Sequence, residues 1–538
     1  MKNTLISKTA VKQKIKRRMR MRIIIVTATF AFFAVVAALI FIFNIGDIRG
    51  VKGGVFITAI ATGNWSDGSI WNTGIPPSSS DDVIIQDGYE VTVDADASCA
   101  SITINAPGSK GNSDITINND IILNVYGDVT INGGTTNIRK ARLFFKNNSV
   151  VIITGSLTVN SVSDQRAVID MTTGTSIIEL TGSLNLNTTV SFKNGQNNFI
   201  SFNGNLPQVF PASSGIKFND VYFNNISPGG IIIDADITDS TVTGNLRVQS
   251  GIFDNNGYDI SGRGPKTFEV TNGAKFILKG TSSFPGGFNT IDLDPASAVQ
   301  YDGDGLQTIS AQNYGHLISS NTGDRVLSPS GTIGIAGDFI PGSNNYIITG
   351  STVVFNGNNT QYINGSDYFT FHDLTVNKSD GELNLNVPVT IDNLLTLTKG
   401  KINTSTINLL ILESTAGTSC GSVSSFINGP AAKVTNTTSL FTFHIGKNGY
   451  YRPLSIEPTS NDNTIFIAEF TDSSYPDITS LEPGLDNVSN KEYFQLDKSG
   501  NADSRVILCW NGNTNVNTSD PSELRVTRWD GAQWTNMG

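Results

Sequence analysis

The stretch over residues 353–412 decides the fold, and it reads VVFNGNNTQYINGSDYFTFHDLTVNKSDGELNLNVPVTIDNLLTLTKGKINTSTINLLIL. Short β-branched and apolar runs, such as Leu374-Thr375-Val376 and Leu395-Thr396-Leu397, alternate with Asn, Gly, Ser and Asp. Each run is too short for a helix, and its apolar residues recur at every second position. This pattern predicts strands that each turn one face towards a core.

A strand-turn unit within this stretch recurs elsewhere in the chain. An aromatic residue, then Asn or Asp, then Gly are followed four residues after the Gly by Gln. The three copies are Phe202-Asn203-Gly204 with Gln208, Tyr301-Asp302-Gly303 with Gln307, and Phe355-Asn356-Gly357 with Gln361. A second aromatic residue follows the Gln, at Phe218, Tyr314 and Phe371. A repeated unit of this size cannot bury its own apolar face, so it is expected to stack on its neighbours.

A shorter repeat with a steady step precedes these units. It consists of a Gly turn, two apolar residues and a trailing Asn, and it recurs at steps of 28 and 27 residues. Its copies are 127–132, 155–160 and 182–187, and 244–248 belongs to the same set. One coil of a parallel β-solenoid requires this arrangement, because the apolar pair fills the tube, Gly opens the turn and Asn stacks on its equivalent in the next coil. The alternative is a series of antiparallel hairpins in separate sandwiches.

These patterns predict an all-β chain with a right-handed parallel β-solenoid over 61–412 and an antiparallel β-sandwich over 413–538. Parallel crossovers are right-handed in almost all sheets. At roughly 25 residues per coil and about 4.8 Å between stacked strands, the solenoid is expected to be on the order of 60 Å long. The composition shifts near Glu413 to a linker-like segment over 414–419, and the longer strands after it predict the sandwich.

Charge is distributed very unevenly along the 538 residues. Residues 1–22 hold nine Lys and Arg and no acidic residue, whereas the rest of the chain has 27 basic and 46 acidic residues, a net charge of −19. Such an acidic body repels nucleic acid and anionic lipid, so no nucleic-acid partner is expected.

The cysteines and histidines form no recognisable motif. Cys99, Cys420 and Cys509 are widely separated, which argues against a disulfide framework or a zinc site, and all three are expected to be buried. The three histidines are His316, His372 and His444. Each is isolated within a strand-like run, so we expect packed or surface residues rather than ligands.

The N-terminal region predicts export. Residues 1–22 form a basic tail that is expected to stay in the cytoplasm, and 23–43 are uncharged and apolar over a length that can cross a bilayer as a helix. This helix is either a signal anchor or a cleaved signal peptide, for which Ala59-Ile60-Ala61 offers a small-x-small site. A linker over 44–60 follows, and the expected location is the cell surface or the extracellular space. A cytoplasmic basic patch for nucleic acid is the competing interpretation.

The residues after the linker resemble a known family. Trp65 and Trp71 precede Pro76-Pro77, Asp81-Asp82-Val83 and the strand-like run 88–93. This opening resembles the N-terminal region of G8-type, β-helix-bearing surface proteins of Bacteroidetes-like bacteria, in which a paired-Trp segment starts the solenoid. The resemblance implies a secreted, adhesin-like protein. Capping of the open tube end by the two Trp residues is favoured over a role in sugar stacking.

The C-terminal region is similar to the same group. The similar segments are 425–430, 443–447 and 451–453. Members of the group often continue into a C-terminal sorting domain that the type IX secretion route recognises. The sequence here stops at Gly538 inside a strand-turn pattern without such a tail, so truncation is one interpretation of this end.

Acidic residues are the candidates for chemistry. Asp234 and Asp236 would lie on the same face of one strand but have no basic residue nearby, and we interpret them as solvated turn acids. Asp292-Leu293-Asp294 and Asp302-Gly303-Asp304-Gly305 resemble calcium loops but lack the spaced acid of an EF-hand. Asp81-Asp82 lacks the companion segments of solenoid hydrolases. We therefore predict no catalytic, cofactor or metal site and no enzyme activity.

The leading hypothesis is an exported structural and adhesive protein of the cell surface, with the solenoid as a spacer that presents polar faces. Its partners would be extracellular glycans or proteins of the envelope or matrix, and the membrane through 23–43 if that helix is not cleaved. Two alternatives stay open. One is a carbohydrate-active enzyme, a polysaccharide lyase or hydrolase whose site is assembled from distant coils. The other is a glycan-binding module in the C-terminal sandwich.

Overall fold

The structure, a computed structural model, describes residues 54–109, 111–134, 139–161, 166–186, 191–365, 367–511, 514–516 and 520–538. The predicted tail over 1–22, the apolar helix over 23–43 and most of the linker over 44–60 lie outside the described residues. Among the residues that are described, no helix has the length and apolar character needed to span a bilayer. Phe56–Gly538 is one compact unit.

The described chain is built from short strands and almost no helix; its one-turn 3-10 helices are Gly68–Ile70, Ala212–Ser214 and Pro521–Glu523. The strands β1 to β17 are Phe56–Thr58, Gly63–Asn64, Asp82–Ile85, Glu90–Val93, Ala97–Cys99, Ser101–Asn105, Ser113–Ile117, Ile122–Val125, Val129–Asn132, Ala141–Phe145, Ser149–Ile153, Leu157–Asn160, Ala167–Met171, Ser176–Leu180, Leu184–Leu186, Ser191–Asn194 and Phe199–Phe202. The strands β18 to β34 are Gln208–Phe210, Asp220–Asn225, Ile231–Ile233, Leu246–Asp254, Thr267–Val270, Lys275–Leu278, Thr290–Leu293, Ala298–Tyr301, Gln307–Ile309, Asn313–Tyr314, His316–Ser319, Arg325–Leu327, Thr332–Ile335, Phe339–Ile340, Tyr346–Ile347, Thr352–Phe355 and Gln361–Ile363. The strands β35 to β51 are Phe369–Asn377, Leu383–Leu385, Val389–Lys399, Ile402–Asn403, Leu410–Leu412, Gly417–Ser419, Ile427–Asn428, Ala431–Thr435, Phe441–Phe443, Ile445–Lys447, Tyr450–Tyr451, Leu454–Pro458, Thr464–Thr471, Tyr493–Gly500, Ser504–Leu508, Thr527–Trp529 and Trp534–Asn536.

Paired strands come from successive turns of the chain. Near the start of the stack, each turn contains three strands, and each strand pairs in parallel with its counterpart one turn later: β3 with β6, β4 with β7, and β5 with β8. Further along, a single parallel ladder runs from β25 through β28, β31, β34, β36, β38 and β41 to β44. The described chain is therefore a parallel β-solenoid of about 16 turns, which confirms the prediction of an all-β chain with a parallel β-solenoid. Because the ladders among the described residues of 83–412 are parallel, the antiparallel-hairpin alternative is excluded.

The step between turns is set by the lengths of the loops. Leu157 pairs with Val129 on one side and with Leu184 on the other, at the 28- and 27-residue steps that the sequence predicts. Between Val299 and Leu317 the step is only 18 residues, although the paired strands are of equal length. Loops of different length therefore leave the strand stacking intact.

The core is a continuous column of inward-facing side chains. Within most strands, buried and partly exposed residues alternate, as in Val129–Asn132, although all five residues of Ala167–Met171 are buried. Aromatic rings fill the middle of the column: the rings of Phe223 and Phe253 have centroids 4.5 Å apart, and those of Phe253 and Phe276 are 5.4 Å apart. These separations are within the range at which aromatic rings attract one another.

The recurring Gln is a buried corner residue that joins two turns of the solenoid. In Gln208, Gln307 and Gln361, Oε1 accepts a hydrogen bond from the backbone N–H of the Gly four residues earlier, at 3.0, 2.9 and 3.0 Å. Nε2 donates to a backbone carbonyl of an earlier turn, that of Leu180, Leu278 and Ile335 at 3.2, 3.0 and 2.9 Å. The sequence repeat therefore has a structural cause, because these buried backbone groups need a partner.

Parallel pairing continues beyond residue 412. The long strand β37 pairs with β39 through its first half and with β40 through its second half, so the linker-like segment over 414–419 extends the same sheet. Further parallel pairs join Leu410 to Ala431 and Ile427 to Ile445. Antiparallel pairing then takes over, in β42–β47–β48, β43–β46–β49 and β50–β51. The packing of these strands as a sandwich stays a prediction.

Candidate functional site

The candidate acidic residues Asp234 and Asp236 make hydrogen bonds to two different turns of the solenoid, one before and one after their own. The Asp234 carboxylate accepts hydrogen bonds from the backbone and hydroxyl of Ser213, at 2.8 and 2.6 Å, in the preceding turn. The Asp236 carboxylate accepts from the backbone N–H of Asp259, at 2.9 Å, in the following turn. Both carboxylates thus join turns of the solenoid.

The other acidic candidates are hydrogen-bonded either within a local turn of the backbone or between successive turns of the solenoid. Asp82 accepts a hydrogen bond of 2.5 Å from the Ser101 hydroxyl, Asp81 accepts from Ser78, and Asp294 accepts from the backbone N–H of Ala296 at 2.8 Å. Asp302 accepts from Ser320 at 2.5 Å. Among the described residues, no group of three or more His, Cys, Asp or Glu is placed to hold a metal ion.

Two of the three cysteines differ from the prediction of burial. Cys99 lies in the core, and burial, together with the nearby Asp82 and Asp81, raises the pKa of its thiol. Cys420 and Cys509 are exposed, so the prediction is wrong for them. Each lies one residue beyond the end of a strand and therefore does not occupy an inward-facing position.

The histidines pair singly with neighbouring groups. His316 Nδ1 accepts from the backbone N–H of Asp338 at 2.9 Å, and His372 Nδ1 lies 3.2 Å from an Asp392 carboxylate oxygen. His444 Nδ1 lies 2.5 Å from the Tyr451 hydroxyl, and burial lowers the pKa of His444.

The tryptophan pair lies inside the first turn. Trp65 and Trp71 are 3% and 1% exposed, and their rings meet edge to face with centroids 5.2 Å apart. The indole N–H of Trp71 donates to the Trp65 carbonyl at 2.9 Å. Both rings belong to the core at the start of the stack, as capping requires, and neither presents a face on which a sugar could stack.

Buried cations form a class of residue that the sequence does not single out. Arg325 is fully buried, and its guanidinium donates to backbone carbonyls of Gly323 at 2.7 Å, Tyr301 at 3.0 Å and Ser320 at 2.6 Å. Its partners are carbonyl dipoles that belong to a corner of the solenoid, so the charge is stabilised by the backbone rather than by an ion pair.

Lys378 and Lys433 repeat this arrangement. Lys378 Nζ donates to the Asn359 carbonyl at 2.8 Å and to Gln361 Oε1 at 2.5 Å, and Lys433 Nζ donates to the Ala416 carbonyl at 2.6 Å. Burial lowers the pKa of each lysine to about 8. The spacing from the recurring Gln could have revealed two of these three cations. Arg325 follows Gln307 by 18 residues, and Lys378 follows Gln361 by 17.

A regular polar surface covers the outer side of the first sheet. Thr103, Thr130 and Thr158 are paired in one column, and Asn105, Asn132 and Asn160 in the next. We call these six residues the threonine–asparagine face. The asparagine amides donate along their column, from Asn132 to Asn105 at 2.9 Å and from Asn160 to Asn132 at 3.1 Å. This confirms that the trailing Asn stacks. The threonine hydroxyls form a row spaced about 4.8 Å apart, and that of Thr158 also accepts a hydrogen bond from the Asn185 amide at 3.2 Å.

A cleft of about 440 Å³ lies on a different sheet, beside the first two turns. Its lining residues are Trp65, Ser66, Pro76, Pro77, Asp94, Ala95, Asp96, Ala97, Ser98, Asn124 and Tyr126. We call it the Asp94–Tyr126 cleft. Sequence reasoning missed it because its residues come from separate segments that only the coiling of the chain brings together.

Comparison with family models, with curated proteins and with solved structures gave no match. The resemblance to G8-type surface proteins therefore stays a prediction.

Proposed function

We propose that this chain is an exported structural and adhesive protein of the cell surface, in which the solenoid is a spacer and a polar interaction surface rather than an enzyme. The threonine–asparagine face is the observation that carries this proposal. It places identical polar groups at a fixed repeat along successive turns, so a partner with its own repeat can make many weak contacts at once.

The spacer role is supported by how the turns are held together. Each turn is paired with its neighbours by parallel strands, and buried corner residues such as Gln307 and Arg325 add cross-connections. Stability in such a stack adds up from neighbour to neighbour. About 16 turns at about 4.8 Å per turn place the first and last turns roughly 75 Å apart, which gives the surface its reach.

The export step is supported by the sequence of the N-terminal region. The basic residues of 1–22 favour retention of that end in the cytoplasm, and the uncharged segment 23–43 is long enough to cross the membrane. We expect added protease to digest the body of the protein on intact cells, with the basic tail protected. Full protection of the body in intact cells would contradict export.

The adhesive role can be tested on the threonine row. In the triple variant Thr103→Val, Thr130→Val and Thr158→Val, the branched shape is kept and three hydroxyls are removed. We expect beads coated with this variant to detach several-fold more easily from polysaccharide-coated surfaces under flow than beads coated with the unchanged protein, because many weak contacts are lost together.

A matched control removes three threonine hydroxyls from a different sheet. These are Thr370, Thr375 and Thr390, which are partly exposed on β35 and β37. This control is expected to adhere like the unchanged protein. Equal adhesion of both triple variants and the unchanged protein would remove the face from the proposal, and release of oligosaccharides from the surface would show an enzyme instead.

A further inference from the structure

The Asp94–Tyr126 cleft is formed where the first turn meets the segment that precedes it. Strand β5 pairs only with β8 among the described strands, so it is an edge of its sheet. Ser98 of β5 pairs with Asn124 of β8, and both side chains point outward because the inward positions are taken by Cys99 and Val125. The strand face and the segment that contains Ser66 line the same cleft.

Two carboxylates of the cleft are fixed in orientation by hydrogen bonds from the chain. Asp94 accepts from the backbone N–H and the hydroxyl of Ser66, at 3.1 and 2.6 Å. Asp96 Oδ1 accepts from the backbone N–H of Ile122 at 2.9 Å. Burial would raise the pKa of Asp94, but the hydrogen bonds from Ser66 outweigh it and hold the pKa below its ordinary value. The cleft therefore presents two carboxylates whose oxygens are held in fixed orientations as hydrogen-bond acceptors.

The rest of the lining offers an open ring and unused polar groups. The Tyr126 side chain is 59% exposed. The structure gives the Asn124 amide, the Ser98 hydroxyl and the Asp96 Oδ2 atom no hydrogen-bond partner within the described chain. A flat aromatic ring beside carboxylates and an amide combines an apolar surface with several directional hydrogen-bonding groups in one small site.

We propose that the Asp94–Tyr126 cleft binds a neutral hexose unit of a glycan. The C–H face of the sugar ring packs on Tyr126, and sugar hydroxyls donate to the carboxylates of Asp94 and Asp96, which are strong acceptors. Asn124 can both donate to and accept from a hydroxyl. Uronates and sulfated sugars are disfavoured, because the two carboxylates and the net negative charge of the body repel them.

This proposal goes beyond the adhesive role and does not depend on it. The threonine–asparagine face lies on the sheet of β6, β9 and β12, whereas the cleft lies on the sheet of β5 and β8. The face acts through many weak contacts, whereas the cleft binds one hexose unit of a glycan. Loss of one activity therefore leaves the other intact.

The test measures binding of fluorescently labelled oligosaccharides to the purified full-length chain in detergent, by fluorescence anisotropy. The panel contains neutral, uronate-containing, sulfated and amino-substituted oligosaccharides of equal length. We expect saturable binding of a neutral oligosaccharide. In Tyr126→Ala, which removes the ring, binding is expected to weaken roughly ten-fold. Asn124→Ala is expected to weaken it less, since it removes one hydrogen-bonding group.

The control variant is Tyr362→Ala, which removes a 39% exposed tyrosine from β34, far along the stack from the cleft. It is expected to bind like the unchanged protein, and equal melting temperatures of all variants would show that the fold is kept. The proposal is overturned if no neutral oligosaccharide binds, if Tyr126→Ala binds as well as the control, or if anionic sugars bind more tightly. Binding of calcium alone with no sugar binding would also overturn it.

Discussion

Replacing Gln361 with leucine removes a buried side chain that connects three segments of the solenoid. Its Oε1 accepts from the Gly357 N–H at 3.0 Å and from Lys378 Nζ at 2.5 Å. Its Nε2 donates to the carbonyls of Ile335, at 2.9 Å, and of Gly337. Leucine has nearly the same size but no hydrogen-bonding group, so the change isolates the polar contribution.

The size of the effect follows from the groups that lose a partner. The Ile335 carbonyl keeps a hydrogen bond of 3.0 Å from the backbone N–H of Asn356, so it is still satisfied. The buried Gly357 N–H and Gly337 carbonyl lose the partner that Gln361 provides, and a buried group without a partner costs about 1–3 kcal/mol. We therefore expect Gln361→Leu to lower the free energy of opening this corner by about 2–6 kcal/mol.

Hydrogen exchange followed by mass spectrometry can locate this loss. A change of about 2 kcal/mol corresponds to roughly 25-fold faster exchange, and it should be confined to peptides from the corner and its adjacent turns because stability in a stack is local. Peptides from 82–132 are expected to be unaffected. Tyr362→Ala, at the exposed neighbouring position, is the matched control. Unchanged exchange around Gly357 in Gln361→Leu would refute the role assigned to the corner.

Two further predictions concern a buried charge and a close approach of the backbone. Burial lowers the pKa of Lys378 from 10.5 to about 8, so the unfolded chain binds more protons between these values and stability rises with pH across this window. We expect Lys378→Met to reduce the rise in the free energy of unfolding between these pH values by up to about 3 kcal/mol, as measured by urea unfolding below pH 8 and near pH 10. An unchanged rise would contradict burial of the charge. An alanine Cβ at Gly182 would lie 2.3 Å from the Gly155 carbonyl oxygen. Gly182→Ala should therefore destabilise the chain by about 1–3 kcal/mol in the same assay. The control Gly286→Ala, whose Cβ meets no atom within 4 Å, should be neutral. Equal stability of the two variants would contradict the close stacking of Gly182 on Gly155.

The strand stacking could be predicted from the sequence because it depends on local patterns that repeat. Val129, Leu157 and Leu184 recur at a nearly constant step, and they are the residues that pair in the structure. The alternation of apolar and polar residues sets which side of each strand faces the core. A slip of one residue would turn the apolar side chains outward, so the pattern fixes the register as well as the fold.

The buried cations could not be predicted from composition or charge patterns. A sequence-based argument looks for an acidic partner for Arg325, but its partners are backbone carbonyls, and a carbonyl leaves no trace in the sequence. The same limit applies at the C-terminal end of the solenoid. The segment 414–419 has the composition of a linker, yet Gly417–Ser419 forms a strand because β37 is long enough to pair with two successive segments.

The corner residues explain how so irregular a sequence supports so regular a stack. The position 17 or 18 residues after the corner Gln is Asn225 in one copy, Arg325 in another and Lys378 in the third. Asn225 donates to the Leu206 carbonyl at 2.7 Å, and the two cations donate to the equivalent carbonyls, Arg325 to that of Gly305 at 3.4 Å and Lys378 to that of Asn359 at 2.8 Å. An amide, a guanidinium and an ammonium can replace one another because all three are donors and the acceptors are always present in the backbone. The three copies therefore share a hydrogen-bond donor at this position rather than a particular residue.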